Sequence, residues 1–451
     1  MTHTSSTKLR ANPGSCLQGE YRLPGDKSLS HRMALLSAVA EGQSCISNFL
    51  ISGVTEAMLG ALTALGVEWE LEDEKLTVQG KGFSGLKPPQ SALNCGNSAT
   101  TLRLLAGFLS AANLPAVLDG SEGLRLRPMG RILEPLRQMG VEITGSEGCA
   151  PLQLAPTSLP LRSIDYSLPV ASAQVKSCLL LAGLAADGPV TLREPGPSRD
   201  HTERLLQAMG VELRSWSEHL QGEEKAAYFT QLDPLHGQPL WPLNMSIPGD
   251  ISSAAFLIVA ALVAPGSEIL LRNVGLNPTR TGLLDALWAM GADIQVLNLS
   301  QAPGEPWGDL LVRSSQLHGT QVSGPLVVRM IDEFPAFSVA AAFAEGRTVV
   351  LQAEELRYKE SDRISVLCQG LSCLGIQISE APDGFTIQGG PTPAGGVADP
   401  HGDHRLAMAL GLVGLASSQP VTVLGAEVIR ESFPEFVSVL QALGADLDME
   451  Y

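Results

Sequence analysis

EPLRQMGVEI, residues 134–143, reads as the end of a helix running into a strand, and the chain contains six such stretches. The others are ALTALGVEWE (61–70), LLQAMGVEL (205–213), LDALWAMGADI (284–294), LSCLGIQI (371–378) and LQALGADL (440–447). Glycine after an apolar turn is the commonest helix stop, so a single match would carry no weight. The glycines, however, are Gly66, Gly140, Gly210, Gly291, Gly375 and Gly444, at spacings of 74, 70, 81, 84 and 69 residues. Each follows, 39 to 44 residues on, a polar turn that opens an apolar helix. These openings are PGDKSLSHRMALLSAVA (24–40), CGNSATTLRLLAGFLSA (95–111), VASAQVKSCLLLAGLAA (170–186), PGDISSAAFLIVAALVA (248–264), MIDEFPAFSVAAAFAEG (330–346) and HGDHRLAMALGLVGLAS (401–417). The period exceeds the roughly 20–50 residues of ordinary solenoid repeats and suits a small α/β unit. Six copies fill the 451 positions.

The repeats pair at a higher level. LPGDKSLSHRMALLSAVA (23–40) and IPGDISSAAFLIVAALVA (247–264) share PGD-x-S at an offset of 224 residues. Three units per half is the simplest account, with one domain over 24–243 and a second over 244–451. Residues 1–23 are expected to pack with the second. The stretch 217–242 breaks the apolar rhythm and reads as an irregular connection. Helices built of Ala, Leu, Gly and Ser are apolar nearly all round, so they must be enclosed on every side. A common direction would gather several positive macrodipole ends at one face, each worth about 0.3–1 kcal/mol towards an anion.

Composition bounds the function. A net charge of −17 argues against nonspecific nucleic-acid binding, which needs a basic surface. It leaves room for a small anion, because a local Arg and Lys cluster outweighs a distant acidic surface. Seven cysteines without a CxxC pair suggest reduced thiols, most of them buried. HGDH at 401–404 is the nearest thing to a metal motif, and it reads better as a capped helix start. The longest apolar run, Ala254 to Ala264, is too short to span a bilayer. No signal-peptide pattern opens the chain, so a cytoplasmic location is expected, with neither a membrane nor a nucleic-acid partner.

Charge gathers at the helix openings: Asp26, Lys27, Ser28, His31 and Arg32; Asn97, Ser98, Thr100 and Arg103, then Arg125, Arg127 and Arg131; Ser172, Gln174 and Lys176, then Ser198 and Arg199. In the second half come Asp332 and Glu333, then Arg357, Lys359, Glu360, Asp362 and Arg363, then Asp403, His404 and Arg405. A lone Arg or Lys is ordinarily a solvated surface residue. These stand at equivalent edges of five units, beside hydroxyls and amides that can donate to phosphate. Seven cations, Lys27, Arg32, Arg127, Arg199, Lys359, Arg363 and Arg405, match the charge of two phosphorylated acids. Neither a P-loop nor a dinucleotide fingerprint is present. Asp332 and Glu360 are the best acid–base candidates, with helix capping or local ion pairing as the plain alternative.

At these residues the chain resembles the 5-enolpyruvylshikimate-3-phosphate synthases. LPGDKSLSHR, GNSATTLRLLAG, LRLRPMGR, SAQVKS, MIDEFP, YKESDR and DHRLAMA follow in the family's order between residues 23 and 436. The resemblance implies the two-domain enolpyruvyl transferase fold, an inside-out α/β barrel with buried helices and three βαβαββ units in each domain. It implies transfer of the enolpyruvyl group of phosphoenolpyruvate to the 5-hydroxyl of shikimate 3-phosphate, in the shikimate pathway, without metal or cofactor and in a monomer. Shikimate 3-phosphate is expected at Lys27, Ser28, Arg32, Ser172, Ala173, Gln174, Arg199, Asp332 and Lys359. Phosphoenolpyruvate is expected at Lys27, Asn97, Ala99, Arg127, Gln174, Arg363 and Arg405. Asp332 is the expected base on the 5-hydroxyl, and Glu360 with Lys27 the proton shuttle at the methylene carbon. Because residues 27–199 lie in one half and 332–405 in the other, the resemblance implies a site completed on closure. Ala99, where many members have glycine, resembles the glyphosate-tolerant class II. Glu431, where many have lysine, puts a phosphoenolpyruvate contact from its loop in doubt. A UDP-N-acetylglucosamine enolpyruvyl transferase would carry a cysteine in DGSEGLRLRPMGR, which has none. A non-catalytic phosphoanion-binding protein would need neither Asp332 nor Glu360.

Overall fold

The computed structural model describes residues 7–219, 226–300 and 304–450. All six helix-stop glycines lie at positive φ, between 81° and 103°. After each, the next residue's N–H reaches back to the carbonyl five positions earlier, as from Val141 to Leu136 at 3.0 Å and from Ala292 to Leu287 at 3.0 Å. A Cβ at position 140 would meet nothing nearer than 4.0 Å, so its cost there is conformational. Gly140→Ala is therefore expected to destabilise by about 1–2 kcal/mol, read as a lowered Tm. An unchanged Tm would show that the left-handed turn is not required.

The helix openings form the most buried elements. Ile251–Val263 is buried at every residue, and so is His404–Val413. The other openings give Lys27–Ser37, Ala99–Ala112, Ala173–Gly183 and Phe334–Phe343. Side chains cap five of the six: Asp26, Ser98, Ser172, Asp250 and Asp403 each accept from a backbone N–H of the first turn. Small residues permit close approach. A Cβ on Gly107 would sit 2.0 Å from the carbonyl oxygen of Cys178, where two of these helices touch.

Among the described residues the strands form six four-stranded sheets, and all six have one plan. An edge strand pairs parallel with a second, which continues antiparallel to a third and a fourth. Two compact units result, Pro24–Ile247 and a second made of 7–23 with 248–450, each with its own apolar core. Two features are not simple repetition. Gln18–Arg22, which precedes the first helix, is the parallel edge of the sheet containing Glu268–Gly275, whereas Asn244–Ser246, which precedes the fourth, pairs with Glu41–Ser47. The first and fourth repeats have thus exchanged edge strands. The sixth sheet takes Lys8–Ala11, from the start of the chain, between Val421–Val423 and Leu447–Glu450.

The expected irregular connection at 217–242 is not what forms. Leu213–Glu218 and Ala227–Leu232 are paired strands of a regular sheet, and only residues 233–243 link onward without a strand, while 220–225 lie outside the described residues. The first of these strands is exposed along most of its length, which explains its missing apolar rhythm. The cysteines also differ from expectation: all seven are unpaired, but only Cys95, Cys178 and Cys368 are buried. Among the described residues no helix is long and apolar enough to cross a membrane.

Candidate active site

In the unit Pro24–Ile247, hydrogen bonds tie together the first turns of three buried helices. His31 donates from Nδ1 to the Lys27 carbonyl at 2.7 Å, which leaves Nε2 to accept from Ser98 Oγ at 3.5 Å. Burial above all holds the His31 pKa down to about 4, so the ring is neutral and serves packing. Arg32 is buried and donates to Thr202 Oγ1 at 2.8 Å, Ser177 Oγ at 2.9 Å and the Ser28 carbonyl at 3.0 Å. The guanidinium is thus a strut between helices as well as a candidate ligand. Arg103 bonds Gln174, whose Nε2 donates to Thr100 Oγ1 at 2.8 Å.

Lys27, Ser28, Asn97, Arg127, Ser172, Ala173, Gln174 and Arg199 are half-buried, and Ala99 is buried as the first residue of its helix. Asn97 Oδ1 accepts from Ser121 Oγ at 3.0 Å, and the Gly96 carbonyl accepts from Ser121 N at 2.9 Å. The turn preceding Ala99 is thereby fastened to the loop that carries Arg127.

The second unit brings together Asp332, Lys359, Glu360, Arg363 and Arg405. Asp332 Oδ1 lies 3.4 Å from Lys359 Nζ and 3.6 Å from Arg363 Nη1, and its carbonyl accepts from Arg405 at 3.1 Å. Arg363 also contacts Glu360 at 2.7 Å and Asp403 at 2.8 Å. Burial opposes charge on Arg363, but Asp403, Glu360 and Asp332 hold it more firmly protonated than usual. Burial would raise Asp403, yet Arg363 brings it below the ordinary carboxylate value.

The cluster balances three cations against three carboxylates, so the seven cations counted from sequence are not seven unpaired charges. One donor stands apart: Arg363 Nη1 is buried and makes no hydrogen bond. A buried guanidinium with an unused donor, flanked by carboxylates able to exchange protons, suits an anionic substrate undergoing acid–base chemistry.

Asp403, expected as a cap and as one of the charges at its helix opening, does cap its helix, accepting from Arg405 N at 2.9 Å. Its grip on Arg363, 40 residues away, had no local signal. The fourth opening, almost uncharged in sequence, acquires Arg280, which bonds Asp250 at 3.1 Å and Ser252 at 2.9 Å. Ser252 in turn donates to Glu333, the neighbour of Asp332. Glu431 lies 3.7 Å from His404 Nδ1. Among the described residues no group of His, Cys, Asp and Glu could hold a metal ion.

A family model described as EPSP synthase (3-phosphoshikimate 1-carboxyvinyltransferase) matches residues 11–440. The 3-phosphoshikimate 1-carboxyvinyltransferase of Desulfitobacterium hafniense (strain DSM 10664 / DCB-2) is 45% identical over 445 residues, covering 98% of this chain and 99% of its own. That of Halorhodospira halophila (strain DSM 244 / SL1) is 47% identical over 443 residues, covering 98% and 97%. A solved EPSP synthase from Acinetobacter baumannii superposes with a TM-score of 0.86 at 41% identity, over 99% of this chain and 100% of that one.

Proposed function

Because the chain belongs to the EPSP synthase family, we propose that its charged helix openings hold shikimate 3-phosphate and phosphoenolpyruvate. The activity is that of a 3-phosphoshikimate 1-carboxyvinyltransferase, a transferase of the shikimate pathway. Shikimate 3-phosphate is assigned to Lys27, Ser28, Arg32, Ser172, Ala173, Gln174, Arg199, Asp332 and Lys359. Phosphoenolpyruvate is assigned to Lys27, Arg127, Gln174, Arg363 and Arg405, with the backbone near Asn97 and Ala99 at its phosphate. The observation that carries the second assignment is the buried, unbonded Nη1 of Arg363 beside Asp332. The same reading takes the enzyme as a cytoplasmic monomer, and Ala99 as a source of glyphosate tolerance.

In this reading Asp332 accepts the proton of the 5-hydroxyl as its oxygen bonds to C2 of phosphoenolpyruvate. Glu360, assisted by Lys27, delivers a proton to C3, so the positive charge that develops at C2 is captured by the incoming oxygen. Inorganic phosphate then leaves from C2, and a C3 proton returns to Glu360 to restore the double bond. Fixed charges placed before the reaction stabilise these shifts without reorganisation.

A coupled phosphate-release assay tests the reading. Phosphate is expected only when both substrates are present, and a binding protein would release none. Lys359→Ala is expected to raise the KM for shikimate 3-phosphate about tenfold, the scale of one charge-assisted hydrogen bond. An unchanged KM would remove Lys359 from that substrate's contacts.

A further inference from the structure

A lysine lies inside one of the buried helices. Lys176, in the second turn of Ala173–Gly183, is 3% exposed, and its neighbours in that helix are Val, Ser, Cys, Leu and Ala. Its ammonium meets Glu203 at 2.7 Å, Glu194 at 2.8 Å and the Ser198 carbonyl at 3.3 Å. All three of its protons are thus engaged. Glu194 uses its other oxygen to accept from the backbone N–H of Ser172 at 3.1 Å.

Burying such a cluster gains little stability over apolar residues of the same volume, whereas removing one partner leaves a stranded charge. Packing alone is therefore a poor reason for lysine here. What the cluster does achieve is connection. Through Glu194 it reaches Ser172, which caps the helix bearing Gln174; through the Ser198 carbonyl it reaches the residue next to Arg199. Glu203 anchors the same ammonium to the helix that follows Arg199, His201–Ala208.

We propose that Lys176, with Glu194, is a positioning pair that holds the Ser172–Gln174 turn and the Ser198–Arg199 turn at the spacing needed to grip shikimate 3-phosphate. The inference rests on the substrate assignment above. Burial pushes the ammonium's pKa down, but Glu203 and Glu194 more than reverse this, so the lysine stays charged. Burial raises Glu203 above the usual carboxylate value, and its Oε2 has no hydrogen-bond partner, whereas both oxygens of Glu194 are engaged.

Glu194→Gln separates positioning from packing because it keeps shape and leaves Lys176 paired with Glu203. A glutamine can offer its single oxygen to the ammonium or to Ser172 N, but then turns its NH2 towards the other donor. Shikimate 3-phosphate binding by calorimetry is expected to weaken about tenfold or more, with KM rising by more than kcat falls. Lys176→Met is expected to do the same where it folds, and Glu194→Gln decides the matter where it does not. A lowered Tm with affinity kept within twofold would overturn the positioning role and leave the substrate reading intact. Absence of shikimate 3-phosphate binding by the native protein would overturn the substrate reading itself, and the proposal with it.

Discussion

Glu360→Gln lowers kcat by about 10²–10⁴-fold, the usual contribution of a general acid–base group, while shikimate 3-phosphate still binds. The glutamine oxygen can accept from Arg363 as the carboxylate does at 2.7 Å, so the local geometry is kept. What is lost is the transferable proton. Neutralising Glu360 also removes one of three carboxylates that compete for Arg363, so phosphoenolpyruvate affinity should hold or improve. The combination of a large fall in kcat with no loss of affinity distinguishes proton transfer from binding. Single-substrate calorimetry and steady-state phosphate release measure the two separately, and a kcat loss below tenfold would remove Glu360 from the proton shuttle.

Ala99→Gly should make the enzyme more sensitive to glyphosate by roughly 5- to 150-fold, the affinity equivalent of the 1–3 kcal/mol that one excess methyl costs in a packed site. Ala99 is 5% exposed and begins its helix directly after the capping Ser98. Its methyl has little freedom to withdraw. Ser98 Oγ accepts from Thr101 N at 3.1 Å and from Thr101 Oγ1 at 2.9 Å, and the preceding turn is bonded to Ser121. Glyphosate is longer than phosphoenolpyruvate, so the methyl should strain the inhibitor and scarcely affect the substrate's KM. Equal inhibition constants for the two proteins would leave Ala99 as no more than a small residue suited to a helix start.

The fold was legible where the determinants are local. Each helix stop needs one glycine in the left-handed region, and five of the six core helices need an Asp or Ser at the start, so both signals survive in a short window. Leu213–Glu218 escaped because Trp216 and its neighbours are exposed, and an exposed edge strand lacks the alternation that betrays a half-buried one. Residues 1–23 were expected with the second half, but the exchange of Gln18–Arg22 and Asn244–Ser246 was not legible, since pairing between positions as far apart as 18 and 268 or 45 and 244 is decided by topology.

The site shows the same division. Asp332, Lys359, Glu360 and Arg363 crowd into two short motifs and drew attention by charge alone. Glu194 ends a strand as an ordinary acid, and only the fold brings its carboxylate to Lys176. Arg32 looked like a ligand because it follows PGDKS, yet its hydrogen bonds to Ser177 and Thr202 give it work inside the unit as well.

Lys8–Ala11 also sets the order of events during synthesis. Leu9 and Ala11 are wholly buried once this strand lies between Val421–Val423 and Leu447–Glu450. It leaves the ribosome roughly 400 residues ahead of its partners. At about 5–20 residues per second, roughly 20–90 s separate the two. Throughout that interval a strand with one apolar face, Leu9 and Ala11, and two unpaired edges must stay out of wrong pairings. The unit Pro24–Ile247 contains all the strands of its own three sheets and can fold meanwhile. The other unit cannot finish until Leu447–Glu450 has been made, so the nascent chain is most exposed to aggregation while its second half is being synthesised.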